Sequence, residues 1–312
     1  MTRKQSWTAD HIQDQTGRVF VVTGATSGLG LATTRALAHR GGRVILAVRD
    51  EAKGHEVAEG LAASGVGPDL LDVRRLDLAD LESVRAFAAG MREEHRHLDV
   101  LVNNAGVMAP PRTLSAQGHE LQFATNHLGH FALTGLLLDL LAAGRDPRVV
   151  TVSSINHRQG SLRFEDLGGE RDYAPMAFYN QSKLANAVFG QELHRRLTAS
   201  ASPVRAVLAH PGYTATSLQT RDTRGLTRLF FGRIGNPLIA QSPERGALSQ
   251  LYAATDPTVV GGEFIGPDGP AELRGAPTRV RLSDAAADAG TGRRLWEVSE
   301  GLTGVSFPVT AS

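Results

Sequence analysis

The stretch Thr23-Gly24-Ala25-Thr26-Ser27-Gly28-Leu29-Gly30 follows a short apolar run, Arg18–Val22, and opens a segment with helical spacing, Leu29–His39. An apolar run without alternation is typical of a strand that is covered on both faces of a parallel sheet. Glycines between such a strand and a helix let the backbone turn sharply and approach a pyrophosphate at the helix N-terminus. The spacing is G-x-x-x-G-x-G rather than the usual G-x-G-x-x-G, and a plain strand-to-helix turn is the competing interpretation.

Apolar runs and helical patterns alternate along most of the chain. Because each parallel crossover needs a covering helix, this pattern predicts an α/β fold, namely a Rossmann-type doubly wound parallel sheet with helices on both faces. No linker divides residues 1–312, so we predict a single nucleotide-binding domain with a polar lead at 1–16 and a candidate substrate lid at 213–243. The predicted strands are 18–22, 44–48, 72–76, 100–102, 148–152, 204–208 and one near 264, and the predicted helices are 29–39, 51–63, 81–95, 120–143, 177–198, one from 242 and 291–299.

Composition argues against several classes of function. The 33 basic and 32 acidic residues give a net charge of +1, so no nucleic acid partner is expected. The chain has no cysteine, which excludes disulfides, thiol nucleophiles and thiolate metal sites, and its histidines form no H-E-x-x-H motif, so we predict no metal. Residues 1–14 lack the apolar core of a signal peptide and 133–141 is too short to span a bilayer, so we expect a cytoplasmic protein without a transmembrane segment.

The second predicted strand ends in Ala47-Val48-Arg49. In the usual dinucleotide site an acidic side chain at this point binds the adenosine ribose, whereas a nearby arginine accommodates a 2′-phosphate. Val48 cannot accept a hydrogen bond from the ribose, and a guanidinium pairs well with phosphate. The residues therefore favour NADP(H) over NAD(H). The alternative is that Arg49 is a solvated surface charge and that Asp50 or Glu51 binds the ribose.

Tyr179 and Lys183 stand four residues apart and so share one face of a helix. Hydride delivery to a carbonyl leaves an alkoxide that must be protonated, and a tyrosine exchanges protons slowly at neutral pH unless a cation stabilises its phenolate. Lys183 would supply that cation, and Ser154, with Ser153 as its rival, would hydrogen-bond the substrate oxygen. Taken singly, each motif also has a structural explanation, as an amphipathic helix or a capping serine pair.

Taken together, the motifs resemble those of the classical short-chain dehydrogenase/reductase family: T-G-x-x-x-G-x-G at 23–30, N-N-A-G at 103–106 and Y-x-x-x-K at 179–183, a likeness that covers nearly the whole chain. The resemblance implies that Tyr179 is the acid/base and that Lys183 lowers the pKa of Tyr179 and holds the nicotinamide ribose. It also implies that Ser154 orients the substrate and that Asn126 supports a proton relay. The implied cofactor contacts are Gly24, Thr26, Ser27, Gly28, Leu29, Gly30 and Arg49, then Asp77 and Leu78 at the adenine, Asn104, Ala105 and Gly106 at the central strand, and Tyr179, Lys183, Pro211, Gly212 and Thr214 at the nicotinamide.

Further motifs are similar to those of the retinol dehydrogenase and WW-domain oxidoreductase branch of that family. They are Thr-Asn-His-Leu-Gly-His-Phe at 125–131, His-Pro-Gly at 210–212 and Leu-Trp at 295–296, together with a longer separation of Ser154 and Tyr179 than the classical one. The chain lacks the G-x-x-G-x-x-G loop of the extended epimerases. His127 and His130 are interpreted as packed or partly exposed polar residues.

The expected activity is the transfer of a hydride between NADP(H) and a small-molecule alcohol, aldehyde or ketone. The alternative from another class is a cofactor-binding sensor or scaffold without turnover. Family members commonly form homo-oligomers through the helices around Asn126 and Lys183. The apolar part of the candidate lid, 226–234, would line a pocket for a lipophilic substrate or serve as an ordinary core or oligomer contact, and the arginines beside it also permit contact with a membrane surface.

Overall fold

The strands of this computed structural model, which describes residues 6–214 and 241–308, form one sheet in the order β3-β2-β1-β4-β5-β6-β7-β8. All neighbouring pairs are parallel except β7 and β8. This confirms the predicted fold class. The strands are β1 (Val19–Thr23), β2 (Arg43–Val48), β3 (Leu71–Arg75), β4 (Val100–Asn103), β5 (Arg148–Val152), β6 (Arg205–Ala209), β7 (Phe264–Pro267) and β8 (Pro277–Arg279).

Helices cover both faces of the sheet. The helices of the described residues are α1 (Gly28–Ala38), α2 (Glu51–Ala63), α3 (Leu81–Glu94), α4 (Leu121–Phe123), α5 (Gly129–Ala142), α6 (Pro175–Ala199), α7 (Pro243–Thr255), α8 (Asp284–Ala287) and α9 (Ala289–Thr303). A π-helical turn, Ala124–Leu128, joins α4 to α5, and a 3-10 turn, Ile155–Gln159, follows β5. None of these helices is long and apolar enough to cross a membrane.

The strand order places a ligand crevice at the middle of the sheet. β1 pairs with β2 on one side and with β4 on the other, so the direction of winding reverses between β1 and β4. In open α/β sheets, ligands bind at the carboxyl ends of the strands at such a point. The residues that follow β1, β4, β5 and β6 therefore meet at one edge, which is where the sequence motifs fall.

Three hydrophobic clusters hold the helices on the sheet, and the two larger ones lie on its two faces. One contains Leu37 of α1, Leu61 of α2 and Leu251 of α7, and the other contains Phe87 of α3 and Phe131 of α5 with their neighbours. Each strand from β1 to β7 except β3 is buried nearly throughout, which explains why these strands read as continuous apolar runs.

The C-terminal helix α9 packs on α5 and α6. Trp296 lies with its ring centroid 5.1 Å from that of Phe131 and 5.9 Å from that of Phe189. Within α5, Asp139 and Ala142 are the exposed residues. The helices that the family resemblance assigns to oligomer contacts are thus largely covered by this chain's own C-terminal segment.

The structure differs from the predicted elements in two places. The helix predicted at 120–143 is interrupted by the π turn, and β8 and α8 were not predicted. Residues 215–240 of the candidate lid, including its apolar part 226–234, lie outside the described residues.

Candidate active site

The glycine-rich loop needs glycine at two positions for reasons of space. Gly24 has a φ of 68°, in the left-handed region, and a Cβ there would lie 3.0 Å from the Cβ of Ala105. A Cβ on Gly30 would lie 2.3 Å from the carbonyl oxygen of Gly24 and 2.7 Å from Nδ2 of Asn104. The loop is therefore packed directly against the residues that follow β4.

A cleft runs along this edge of the sheet and collects most of the predicted cofactor residues. The predicted residues that line it are Gly24, Thr26, Ser27, Gly28, Leu29, Gly30, Arg49, Asp77, Leu78, Asn104, Ala105 and Gly106. The lining residues that the sequence analysis did not assign are Ala47, Val48, Asp50, Lys53, Leu76, Val107, Leu121 and Thr125. The other predicted cofactor residues do not line this cleft: Tyr179 and Lys183 lie on α6, and Pro211, Gly212 and Thr214 lie after β6.

One end of the cleft carries two cationic side chains. Arg49 follows β2, and Lys53 lies one turn into α2. Asp50 caps α2, because its Oδ1 accepts a hydrogen bond from the backbone N of Lys53 at 3.1 Å. Asp50 lines the same end of the cleft, so both the arginine and the acidic side chain that the sequence offers are present there. Lys53 belongs to no motif, and the one signal for it in the sequence is its position four residues after Arg49.

Thr23 connects the end of β1 to the end of β4. Its Oγ1 accepts hydrogen bonds from the backbone N of Asn104 and of Ala105, both at 2.9 Å, and lies 2.9 Å from Nε2 of His130. Nδ2 of Asn104 donates to the carbonyl oxygen of Thr23 at 2.7 Å. The two sides of the crevice are thereby held together by one buried hydroxyl.

His130 is a buried neutral base between Thr23 and Asn126. Burial lowers the pKa of His130 to about 4, so the ring is neutral near pH 7. Nδ1 lies 2.9 Å from the carbonyl oxygen of Asn126, which can only accept, so we place the ring proton on Nδ1. Nε2 then accepts from the hydroxyl of Thr23. His127 is buried as well, so both histidines are packed, in agreement with the first of the two interpretations.

Asn126 lies in the π turn and is completely buried. Its Oδ1 accepts from the backbone N of Val107 at 2.8 Å, and its Nδ2 donates to the carbonyl oxygen of Val107 and to Oγ of Ser182, both at 2.9 Å. Isolated π turns occur frequently at functional sites. The turn aims the Asn126 side chain at the loop after β4 and at the helix that carries Tyr179.

The structure joins Ser154 to Tyr179. The Ser154 side chain acts to lower the pKa of Tyr179, against the larger effect of burial, which raises that pKa above its usual value. Ser153, the rival, is buried and donates its hydroxyl to the carbonyl oxygen of Lys183 at 2.7 Å. The two serines therefore differ: the Ser153 hydroxyl donates to α6, whereas the Ser154 hydroxyl accepts from the backbone N of Asn156 at 3.2 Å and acts on the phenol of Tyr179.

Lys183 is buried beside Tyr179. Its Nζ lies 5.9 Å from the centroid of the Tyr179 ring and donates to the carbonyl oxygen of Val152 at 3.2 Å. Burial lowers the pKa of Lys183 to about 8. The implied lowering of the Tyr179 pKa by Lys183 stays a prediction. Nζ of Lys183 lies 3.6 Å from the position of a Cβ on Gly106, so the ammonium is next to a residue that lines the cleft.

The turn after β6 is packed against a loop near the C-terminal end. Gly212 has a φ of 67°, and a Cβ there would lie 2.4 Å from the carbonyl oxygen of Leu273. Oγ1 of Thr214 donates to the carbonyl oxygen of Pro211 at 3.0 Å. Within residues 6–214 and 241–308, no group of three or more histidine or acidic side chains is arranged to hold a metal ion.

Known proteins resemble this chain over most of its length. The short chain dehydrogenase family model matches residues 18–226. Retinol dehydrogenase 14 of Mus musculus is 40% identical over 301 residues, covering 93% of this chain and 86% of the relative. Polyprenol dehydrogenase of Mus musculus is 42% identical over 296 residues, covering 93% of this chain and 85% of the relative.

A solved structure of an uncharacterized protein from Mycobacterium paratuberculosis is also similar to this chain. It superposes with a TM-score of 0.81 at 44% identity, covering 97% of this chain and 99% of that one. The chain belongs to the short-chain dehydrogenase family and is an oxidoreductase that acts on CH–OH or C=O groups with a nicotinamide cofactor. The predicted family and its retinol dehydrogenase branch are confirmed.

Proposed function

We propose that the protein interconverts a lipophilic alcohol and its aldehyde or ketone with NADP(H), using Tyr179 as the acid/base. The observation that carries the proposal is the buried Lys183 ammonium 5.9 Å from the Tyr179 ring, with the Ser154 side chain acting on the phenol from the end of β5. This arrangement joins a proton donor, a group that orients the substrate oxygen and a cation. A protein that only bound the cofactor would have no chemical use for the set.

In the direction of reduction, Tyr179 gives its phenolic proton to the substrate oxygen, and in oxidation it takes that proton back. A bound nicotinamide supplies or accepts the hydride. Ser154 orients the substrate oxygen toward Tyr179, and the charge of Lys183 stabilises the phenolate that remains after proton transfer. The backbone carbonyl oxygen of Asn126 accepts from Nδ1 of His130. Because a carbonyl oxygen has two lone pairs, it would also hold a water molecule of the proposed proton relay.

The residues of the cleft fit a dinucleotide with a 2′-phosphate. The backbone at Gly24 and Gly30 leaves no room for a Cβ, as a loop that closely approaches a pyrophosphate requires. At the adenosine end, Arg49 and Lys53 provide two positive charges, whereas Asp50 caps α2. We therefore propose NADP(H) in preference to NAD(H).

The class of substrate is proposed from the relatives and from the cleft. Two relatives are named for retinol and for polyprenol, which are both isoprenoid alcohols. Val107 and Leu121 add apolar surface to the cleft, and apolar residues recur in the candidate lid at 226–234. An isoprenoid alcohol or its aldehyde is the substrate class that these features favour.

The direct test is NADPH oxidation, followed by ultraviolet absorbance, across isoprenoid and small aldehydes and ketones, with NADH in parallel. We expect a preference for NADPH and, in Tyr179→Phe, a loss of kcat of about a hundredfold or more with NADP⁺ binding retained. Tyr252→Phe is the matched control, because this tyrosine lies on α7 and its hydroxyl is 3.2 Å from that of Thr258. Full activity in Tyr179→Phe would refute the assignment, and tight NADP⁺ binding without turnover on any substrate would favour a sensor.

We also propose a cytoplasmic location. A chain without cysteine is compatible with a reducing compartment. Fractionation of cells that produce the protein tests this proposal, and activity that sediments with membranes would contradict it.

A further inference from the structure

A short loop near the C-terminal end has an unfavourable backbone conformation. Ala271 and Glu272 have φ angles of 53° and 56°, in the left-handed region that non-glycine residues rarely adopt. Two consecutive residues of this kind carry a conformational cost that glycine or asparagine would reduce. A glutamate at this position therefore calls for an explanation in the contacts of its side chain.

On one side, the Glu272 carboxylate holds His210. Nε2 of His210 lies 2.9 Å from Oε2 of Glu272, and Nδ1 accepts a hydrogen bond from the backbone N of Gly212 at 3.2 Å. His210 is completely buried, and burial lowers its pKa, so the ring is neutral. Because Nδ1 accepts, the ring proton lies on Nε2 and is donated to Glu272. The carboxylate thus fixes the tautomer that ties the ring to the Pro211-Gly212 turn.

On the other side, the same carboxylate holds Arg158. Nη2 of Arg158 donates to Oε1 of Glu272 at 2.8 Å and to Oε2 at 2.9 Å. Arg158 belongs to the 3-10 turn that begins directly after Ser154, and His157 of that turn lies with Nδ1 2.7 Å from the carbonyl oxygen of Ser154. With its two partners, Glu272 has a pKa of about 2 and stays ionised at neutral pH.

We infer that Glu272 is a positioning residue that sets the substrate-orienting turn after Ser154 and the nicotinamide-facing turn at Pro211-Gly212 in a fixed relation to each other. One carboxylate bridges the two turns, which follow the neighbouring strands β5 and β6. Hydride and proton transfer require these two sides to keep their spacing within a fraction of an ångström. The inference rests on the proposed function, since it assumes that the nicotinamide binds beside Gly212.

The inference predicts that a substitution at Glu272 weakens binding at the nicotinamide end of the cofactor and leaves binding at the adenosine end unchanged. Glu272→Asn suits the left-handed backbone but is too short to keep both partners, so it removes the bridge without adding strain. We expect its affinity for NADP⁺, measured by calorimetry, to fall about tenfold, the equivalent of one lost charged hydrogen bond. Its affinity for adenosine 2′,5′-bisphosphate, which carries only the adenosine end of the cofactor, should stay unchanged.

Two further variants separate the contacts of Glu272 with His210 and Arg158 and control for the loss of a carboxylate elsewhere. Glu272→Gln retains an acceptor for His210 and should recover most of the NADP⁺ affinity while kcat stays low, because Arg158 has lost its carboxylate. Glu263→Gln is the matched control. Glu263 pairs with Arg279 where β7 begins and β8 ends, at the other end of these strands from Glu272. It should bind both ligands as the wild type does. Thermal unfolding of each variant verifies that the chain is folded.

The outcomes separate the inference from the proposed function. Wild-type affinity for NADP⁺ in Glu272→Asn, equal losses for both ligands, or the same loss in Glu263→Gln would overturn the inference. A wild-type protein that binds neither ligand would instead refute the proposed function, and the inference would fall with it.

Discussion

Thr23→Val removes one hydroxyl from the end of β1 and leaves the shape of the side chain nearly unchanged. The hydroxyl accepts from two backbone N–H groups, those of Asn104 and Ala105, and contacts the acceptor nitrogen of His130. Each buried polar group that loses its partner costs about 1–3 kcal/mol, and the two N–H groups are only partly buried. The Asn104 N–H keeps a second partner, the carbonyl oxygen of Val102 at 3.0 Å, so two groups are left unpaired, the Ala105 N–H and Nε2 of His130. At the lower end of that range they give a predicted loss of about 2 kcal/mol in the free energy of unfolding.

Thr34→Val is the matched control for this prediction. Thr34 is a buried threonine of α1 whose Oγ1 has no hydrogen-bond partner among residues 6–214 and 241–308. The same chemical change there should leave the stability unchanged or raise it by up to about 1 kcal/mol, because it removes an unsatisfied buried hydroxyl. Urea unfolding with linear extrapolation measures both variants. Equal stabilities of Thr23→Val and Thr34→Val would refute the claim that the Thr23 hydroxyl joins β1 to β4.

Two further predictions concern buried side chains. Because burial lowers the pKa of Lys183 to about 8 from 10.5, keeping its charge costs the folded protein roughly 3 kcal/mol near pH 7. Lys183→Met removes this cost but also loses the hydrogen bond to Val152, which contributes about 1 kcal/mol. The variant should therefore be about 2 kcal/mol more stable than the wild type and should have no turnover. Between pH 8 and 10.5 the unfolded wild type binds more protons than the folded one, so wild-type stability rises there and the advantage of the variant should shrink; an advantage independent of pH in urea titrations would contradict this. Trp296→Ala should lower the free energy of unfolding by about 3–5 kcal/mol, because it removes the ring that covers Phe131. Since this packing covers α5, the wild type should be monomeric by light scattering. A dimer that Asp139→Arg dissociates would show instead that α5 forms an interface.

The predictable part of the fold is the part that is buried on both sides. The strands at 44–48 and 100–102 are continuous apolar runs, and that at 148–152 is apolar except for Arg148 and Thr151; each falls within or coincides with an observed strand. β8 is a three-residue antiparallel edge strand that begins with Pro277, so it has neither the length nor the pattern of an apolar run. The π turn was missed because nothing in the local residue pattern signals one extra residue in a helix.

The candidate site likewise contains residues that the sequence predicts and residues that only the structure reveals. The spacing along one helix predicts the pair Tyr179 and Lys183, and the family resemblance implies Asn104. His130, Arg158 and Glu272 act through partners far away in the chain, and only the folded sheet brings these partners together. Sequence spacing records contacts along one helix or turn, whereas these contacts depend on the order of the strands.

The π turn that carries Asn126 is fixed in length at both ends. At its start, the Glu120 carboxylate accepts from the backbone N of Gln122 at 3.0 Å and of Phe123 at 2.7 Å. At its end, a Cβ on Gly129 would lie 2.4 Å from the carbonyl oxygen of Leu78, so α5 cannot rotate or slide at this point. Deleting one residue in between would restore the α-helical repeat and turn the Asn126 side chain by about 100° around the helix axis. This segment therefore accepts exchanges of side chains far more readily than insertions or deletions, and its residue count is itself a determinant of the active site.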